Sequence, residues 1–337
     1  MTATYKSAGV DIKAADKVKS RIAGLATSTH GPEVLTGLGG FGGLYQLAEY
    51  KSPVLVSGTD NVGTKLKIAI AMESYQALGE DVVNACVNDI VTSGAKPLFF
   101  LDYIAMGQVN PHLTEALITG IVKACRENGC ALIGGETSEL PGLFAENEFD
   151  LSGFAVGVIE NDEILDPKSV REGDILIGVP SNGLHTNGYS LVRHVLAIDK
   201  DPSPLFQYHE SLGCTLGEAL LQPHRAYFPL IEPIIPYIKS IAHITGGGLS
   251  DNLPRALPSD LCADIDTQSW TVPPVFEVLR DLGGIDISEM YRVFNMGLGM
   301  VVICDEVNKD TVCELIPEAK IVGAVIDGVS AGRVVLR

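Results

Sequence analysis

Residues 54 to 67, VLVSGTDNVGTKLK, place an acid, a bare turn and two lysines close together in a 337-residue chain. An apolar run with small residues suits a buried strand, and Ser57, Gly58, Asp60, Asn61 and Gly63 suit the turn that ends it. If the segment stays extended past the turn, Lys65 and Lys67 share one face. Asp60 can then offer a hard oxygen to Mg²⁺ while the turn amides and a lysine meet phosphate oxygens. The plainer alternative is a hairpin with an acidic corner and a solvated basic strand.

Further acids follow at domain scale. Asp89 opens DIVTSGAKP, whose Gly94 and Pro97 stop a helix, and Glu136 lies in GGETSELPG at a predicted strand end. Upstream, GLGGFGGLYQL (37 to 47) sets Gly39, Gly40, Gly42 and Gly43 around Phe41. It lacks the GK[ST] of a P-loop and the βαβ setting of a dinucleotide fingerprint, so it reads as a lid over phosphates or as a plain linker. Each acid also has a structural reading, as a surface carboxylate near a helix end.

The second half carries amide and hydroxyl loops. SNGLHTNGYS (181 to 190) offers Asn182, His185 and Asn187 ahead of a helix pattern, and HITGGGL (243 to 249) offers His243, Thr245, Gly246 and Gly247. Backbone N–H groups in such loops can meet a phosphate, and a histidine can move a proton near neutral pH or simply fix its loop. His30, His112, His194, His209 and His224 have no comparable surroundings in the sequence.

The elements needed to position these residues alternate along the chain. A helix is expected over 73–95, with Val82, Val83, Cys86, Val87, Ile90 and Val91 as its apolar stripe. A strand follows at 97–106, a helix at 111–128, and strands at 131–134 and 151–159. Polar ILDPKSVREGD then marks a domain boundary near 170, giving domains 1–170 and 171–337. The second domain starts with a strand at 175–179 and includes helices around 188–198 and 225–240. This is an α/β class with mixed sheets and helices on one face.

Composition excludes several alternatives. Acidic residues outnumber basic ones 42 to 24, for a net charge of −18, which repels nucleic acid and anionic membranes. The seven cysteines are scattered without a CxxC pair, as reduced thiols of a cytoplasmic protein would be. The N-terminus has no signal-like apolar core, and no run reaches the roughly 18 apolar residues of a membrane span.

Taken in order, TDNVGTK, DIVTSGAKP, GGETSELPG, SNGLHTNGYS and HITGGGLSDNLPR closely resemble the aminoimidazole ribonucleotide synthetase family, from YKSAGVDI to FNMGLGM (294 to 300). The resemblance implies two α/β halves, the N-terminal sheet closing a barrel with its twofold mate in a homodimer. It also implies ATP and Mg²⁺ as cofactors and formylglycinamidine ribonucleotide as substrate. Asp60 and Asp89 match the acids that hold Mg²⁺-nucleotide, and Gly94, Ala95 and Pro97 complete that signature. Glu136 and the glycines of the 37–47 loop would join the nucleotide site, Lys65 would meet the transferring phosphoryl with Lys67 as the alternative, and His243 would carry a proton. Asn182, His185, Asn187, Thr245, Gly246 and Gly247 would bind the ribonucleotide. Position 61, usually Gly in such cyclases, is Asn here, a residue that enters the left-handed region at modest cost.

A thiamine phosphate kinase or a selenophosphate synthetase would share the acid-rich nucleotide half. The latter should carry a reactive Cys or selenocysteine near its N-terminus, and no Cys precedes Cys86. A non-catalytic nucleotide-binding subunit would bind without turnover, and the presence of Asp60, Lys65 and Asp89 argues against it.

Overall fold

The computed structural model describes residues 22–37, 39–328 and 333–337. The YKSAGVDI segment lies outside the described residues. The chain divides into two compact units, residues 1–90 with 97–160 and residues 91–96 with 161–337.

The first unit is a four-stranded sheet in the order β1-β4-β2-β3. Its strands are β1 (Pro53–Asn61), β2 (Lys96–Met106), β3 (Ala131–Glu139) and β4 (Phe149–Glu160). Helices Gln76–Val91 and Pro111–Glu127 cross with their backbones almost touching, because Gly79 and Gly120 lack side chains there. A Cβ on Gly79 would fall 2.0 Å from the Leu117 carbonyl oxygen, and one on Gly120 would fall 2.0 Å from that of Gln76. Along β1 the two-residue period turns Val56, Gly58 and Asp60 inward and leaves Leu55, Ser57, Thr59 and Asn61 exposed. Gly58 packs on Cys86 and Ile90 of the first helix, which fixes that face of β1 as the helix-covered one. Phe154, opposite Thr59 in the antiparallel register, is exposed with Leu55.

Two local expectations change here. Residues 65–71 form a helix, Lys65–Ala71, so Lys65 and Lys67 stand about 200° apart around its axis and do not share a face. Leu66, Ile68 and Ala69 follow Lys65 with helical rather than alternating burial, and this decides the period. Glu136 is not at a strand end, because β3 continues through GGETSE beside β2 in parallel register.

The second unit is built on a six-stranded sheet, order β12-β9-β11-β5-β10-β8. The strands are β5 (Ile175–Pro180), β8 (Ser240–His243), β9 (Leu261–Ile265), β10 (Leu298–Cys304), β11 (Lys320–Asp327) and β12 (Val334–Leu336). A small hairpin of β6 (Tyr208–His209) and β7 (Cys214–Thr215) stands apart from it. Every residue of β10 is buried, as an unbroken apolar run requires. Its antiparallel register sets Leu298 opposite Pro180 and Met300 opposite His243, so the loops after β5 and β8 leave the sheet at the same end. The core packs Leu249, Leu253, Trp270, Val301 and Val322 together.

The helix expected over 225–240 is instead a short α-helix, Phe228–Ile231, followed by a 3₁₀ segment, Glu232–Tyr237. Pro229, Pro233 and Pro236 each remove an N–H donor, so a continuous α ladder cannot form.

Candidate nucleotide and ribonucleotide sites

In the first unit the end of β1 is shaped by short polar bonds. The Asp60 carboxylate accepts from the Asn61 N–H at 2.7 Å, and the Asn61 side chain accepts from the Gly63 N–H at 2.8 Å. The left-handed residue is Gly63, at φ +57°, and not Asn61. Asn61 therefore serves the turn as an acceptor that a glycine could not provide.

Asp60 and Asp89 approach the same thiol. Cys86 contacts the Asp60 carbonyl at 4.0 Å, and burial pushes the thiol far up, with both carboxylates adding to the rise. Asp89 is exposed and Asp60 half-buried. Asp89 lies beside β1, its Cβ 3.7 Å from where a Cβ on Gly58 would stand, and carboxylates such as these two are hard oxygen donors of the kind a divalent cation takes.

The lysines part company. Lys65 is wholly buried, with Nζ 2.9 and 2.8 Å from the two oxygens of Asp81. Desolvation lowers its pKa while Asp81 pulls the other way. Lys67 is exposed and donates to Glu148 at 2.7 Å, which holds that carboxylate below its ordinary range. Beside it lies a cavity of about 200 Å³ lined by Gly63, Thr64, Lys67 and Phe144, adjoining one of about 370 Å³ through Ile70, Glu148 and Phe149.

The glycine loop is the tip of an irregular hairpin, with Val34 bridged to Tyr45 and Leu35 N–H donating to Leu44 at 2.9 Å. Gly39 takes φ +110°, and Gly40, Gly42 and Phe41 are exposed. Gly43 is tight against Ile133, where a Cβ would fall 2.9 Å from the side chain. Gly94 takes φ +86° and donates to the Val91 carbonyl at 2.8 Å, closing the helix. Glu136 is exposed on β3, next to a carboxyl that the sequence reading passed over. Burial pushes Asp102 up to about 7, its own backbone N–H draws it down, and Glu136 adds to the rise. A Cβ on Gly135 would fall 2.3 Å from the Asp102 carboxylate, so the bare glycine makes the room. Asp102 in FFLDYIAM looks like an outward residue of a half-exposed strand, and only its tertiary surroundings show otherwise.

In the second unit the two predicted loops meet. Asn187 lies against Gly246, whose added Cβ would come within 3.1 Å of its side-chain oxygen. Asn252 pins the glycine loop by donating to the carbonyls of Thr245, Gly246 and Gly248, and Gly247 and Gly248 are left-handed at φ +92° and +59°. Asn182 is exposed and donates to the Pro223 carbonyl at 2.8 Å. His185, at φ +62°, turns its ring inward to 1% exposure, where it stacks on His224 at 4.0 Å between centroids. His224 in turn lies 3.1 Å from His243, Nε2 to Nε2. His224 therefore belongs with the loop histidines, contrary to the sequence reading. Its neighbours Pro223 and Arg225 carry no motif, so only the fold brings it there. Tyr227 closes the group, donating to the Pro180 carbonyl at 2.8 Å.

Comparison with known proteins defines the class first. The model of the AIR synthase related protein N-terminal domain matches residues 44–159, and that of the C-terminal domain matches 171–335. Solved structures share the fold alone: thiamine-monophosphate kinase from Stenotrophomonas maltophilia K279a (TM-score 0.65, 16% identity, 97% of this chain and 96% of that one) and hydrogenase maturation protein HypE in complex with ATP (0.66, 17%, 94% and 90%). Identity separates the members of this class. Phosphoribosylformylglycinamidine cyclo-ligase of Thermoanaerobacter sp. (strain X514) is 46% identical over 98% of this chain and 99% of its own length. That of Thermodesulfovibrio yellowstonii is 50% identical over 91% and 90%. The chain belongs to the phosphoribosylformylglycinamidine cyclo-ligase family, ATP-dependent ligases of purine biosynthesis that convert formylglycinamidine ribonucleotide to aminoimidazole ribonucleotide, ADP and phosphate.

Proposed function

We propose that this chain divides the family's reaction between its units: the first binds Mg²⁺-ATP and the second binds the ribonucleotide and manages the proton. The observation that carries this reading is that Asp60 and Asp89 both bear on the Cys86 thiol in the first unit, while the second unit gathers amide loops and imidazoles. An amide oxygen is a poor leaving group, so ATP phosphorylates the formyl oxygen, the amidine nitrogen closes the ring, and phosphate departs with the C–O bond. Asp60 and Asp89 hold the cation, which when bound neutralises charge on the phosphates.

Lys67 takes the phosphoryl contact, because the Lys65 ammonium is spent on Asp81 below the surface. Lys65 then positions the Asp60–Thr64 turn from beneath. Gly39, Gly40, Gly42 and Gly43 cover the phosphates, with Glu136 at the nucleotide edge. HypE, of the same fold, was solved with ATP, which supports nucleotide binding here.

Asn182, Asn187, Thr245, Gly246 and Gly247 form the ribonucleotide loops, His185 holds them from inside, and His243 accepts the proton lost by the attacking nitrogen. The exposed apolar residues of the first sheet, Leu55 and Phe154 among them, suit a homodimer that closes the barrel. Among the described residues no helix is long and apolar enough to cross a membrane, which accords with a cytoplasmic enzyme.

Isothermal titration and steady-state kinetics test the division. Asp60→Asn and Asp89→Asn should weaken Mg²⁺-ATP binding and abolish turnover, while His243→Ala should bind ATP normally and lose kcat. The opposite pattern, ATP binding lost only in His243→Ala, would reverse the assignment.

A further inference from the structure

Three buried imidazoles, those of His185, His224 and His243, place ring nitrogens within 4.8 Å of one another in the second unit. Such a group suggests a metal, but the ring planes oppose it. An imidazole lone pair lies in the plane of its ring, and a zinc-like ion must lie in that plane about 2 Å from nitrogen. The His185 and His224 rings are stacked 4.0 Å apart and only 16° from parallel, so no point in reach lies in both planes. As they stand they cannot share an ion.

The contact between His224 and His243 has a different consequence. Two Nε2 atoms 3.1 Å apart make a hydrogen bond only when one carries the proton and the other the lone pair. Between neutral rings that bond couples the two tautomers, so the one His224 adopts sets that of His243 and with it whether the His243 Nδ1 donates or accepts. His224 is packed on one face. That face is covered by His185, and the edge of His185 meets Tyr227 at 6.0 Å. Gly299 leaves room for the group, since a Cβ there would fall 2.7 Å from the His185 ring and 1.8 Å from the Tyr227 oxygen. The Pro223 carbonyl, one residue before His224, also accepts from Asn182, so the same short segment holds both the loop and the ring.

We propose that His224 is a positioning residue that fixes the tautomer and ring orientation of His243 for proton transfer during ring closure. This rests on the proton-carrying role given to His243 above. The charged neighbour Arg225 does not replace it, because its guanidinium is engaged by Glu318 and the Pro180 carbonyl and lies over Tyr227.

The test uses the full chain with ¹⁵N-labelled histidine, as wild type, His224→Leu and His224→Gln. In wild type the His243 ring should show one protonated and one bare nitrogen, the pattern of a single tautomer. His224→Leu should average the two nitrogens and lower kcat roughly ten- to a hundredfold, the range for loss of an orienting partner, with KM for both substrates nearly unchanged. His224→Gln, which can still donate or accept, should restore the single tautomer and most of the rate. A tautomer mixture in wild type, or a single tautomer retained in His224→Leu, overturns the proposal; the wild-type spectrum decides even if a variant folds poorly. If the tautomer averages while kcat stays at the wild-type value, the proton-carrying role of His243 is what fails. A wild type that forms no aminoimidazole ribonucleotide would instead overturn the reading of function.

Discussion

The ammonium of Lys65 sits 2.8 Å from a carboxylate oxygen of Asp81, and neither side chain is reached by solvent. Removing one partner strands the other charge in a medium that cannot solvate it. Lys65→Met should therefore destabilise the chain by about 3–5 kcal/mol, whereas Lys65→Met with Asp81→Leu should recover most of that loss. Urea unfolding of both variants checks this. Equal stability of Lys65→Met and wild type would show that the pair is not buried as described.

Asp102 makes stability depend on pH in a stated direction. Its carboxyl titrates near 7 in the folded chain against an ordinary 3.8, so the folded state holds a proton that the unfolded chain releases. The stability from that proton is complete below about pH 4, declines as pH rises, and is gone above 7. Asp102→Asn, neutral at every pH, should come nearest to wild type below about pH 4 and melt progressively higher than it up to about pH 8.5. The same difference at both ends of that range in calorimetry would contradict the shift.

The sequence revealed the motifs and most of the strands but not how the side chains pair. Asp60 and Asp89 stand in turn and helix-end signals that local chemistry makes legible, and the structure adds that both raise the Cys86 thiol. Lys65 was misread because KLKIAIA satisfies an alternating and a helical period almost equally, and burial against Asp81 decides between them. His224 was invisible for another reason. It lies 19 residues from His243 with no periodic relation to it, and the two meet because the irregular stretch ahead of the helix Phe228–Ile231 passes the end of β8. Asp102 likewise takes its character from desolvation, which no local window reports.

The open face of the first sheet gives a prediction about assembly. Leu55 is 64% and Phe154 40% exposed, apolar surface that a second copy would cover. Light scattering should return about twice 35.8 kDa for wild type at micromolar concentration, and Phe154→Asp with Leu55→Asp should return the single-chain mass. A wild-type monomer would remove the barrel from the account.

The central claim is that this chain spends ATP to close the imidazole ring, and one assay meets it directly. Purified chain with Mg²⁺-ATP is offered formylglycinamidine ribonucleotide, thiamine phosphate or selenide in turn, and ADP release is followed together with the ribonucleotide product. The account predicts stoichiometric ADP and aminoimidazole ribonucleotide with the first substrate and only background ADP with the other two. ADP release driven by thiamine phosphate or selenide, with none from formylglycinamidine ribonucleotide, would contradict it.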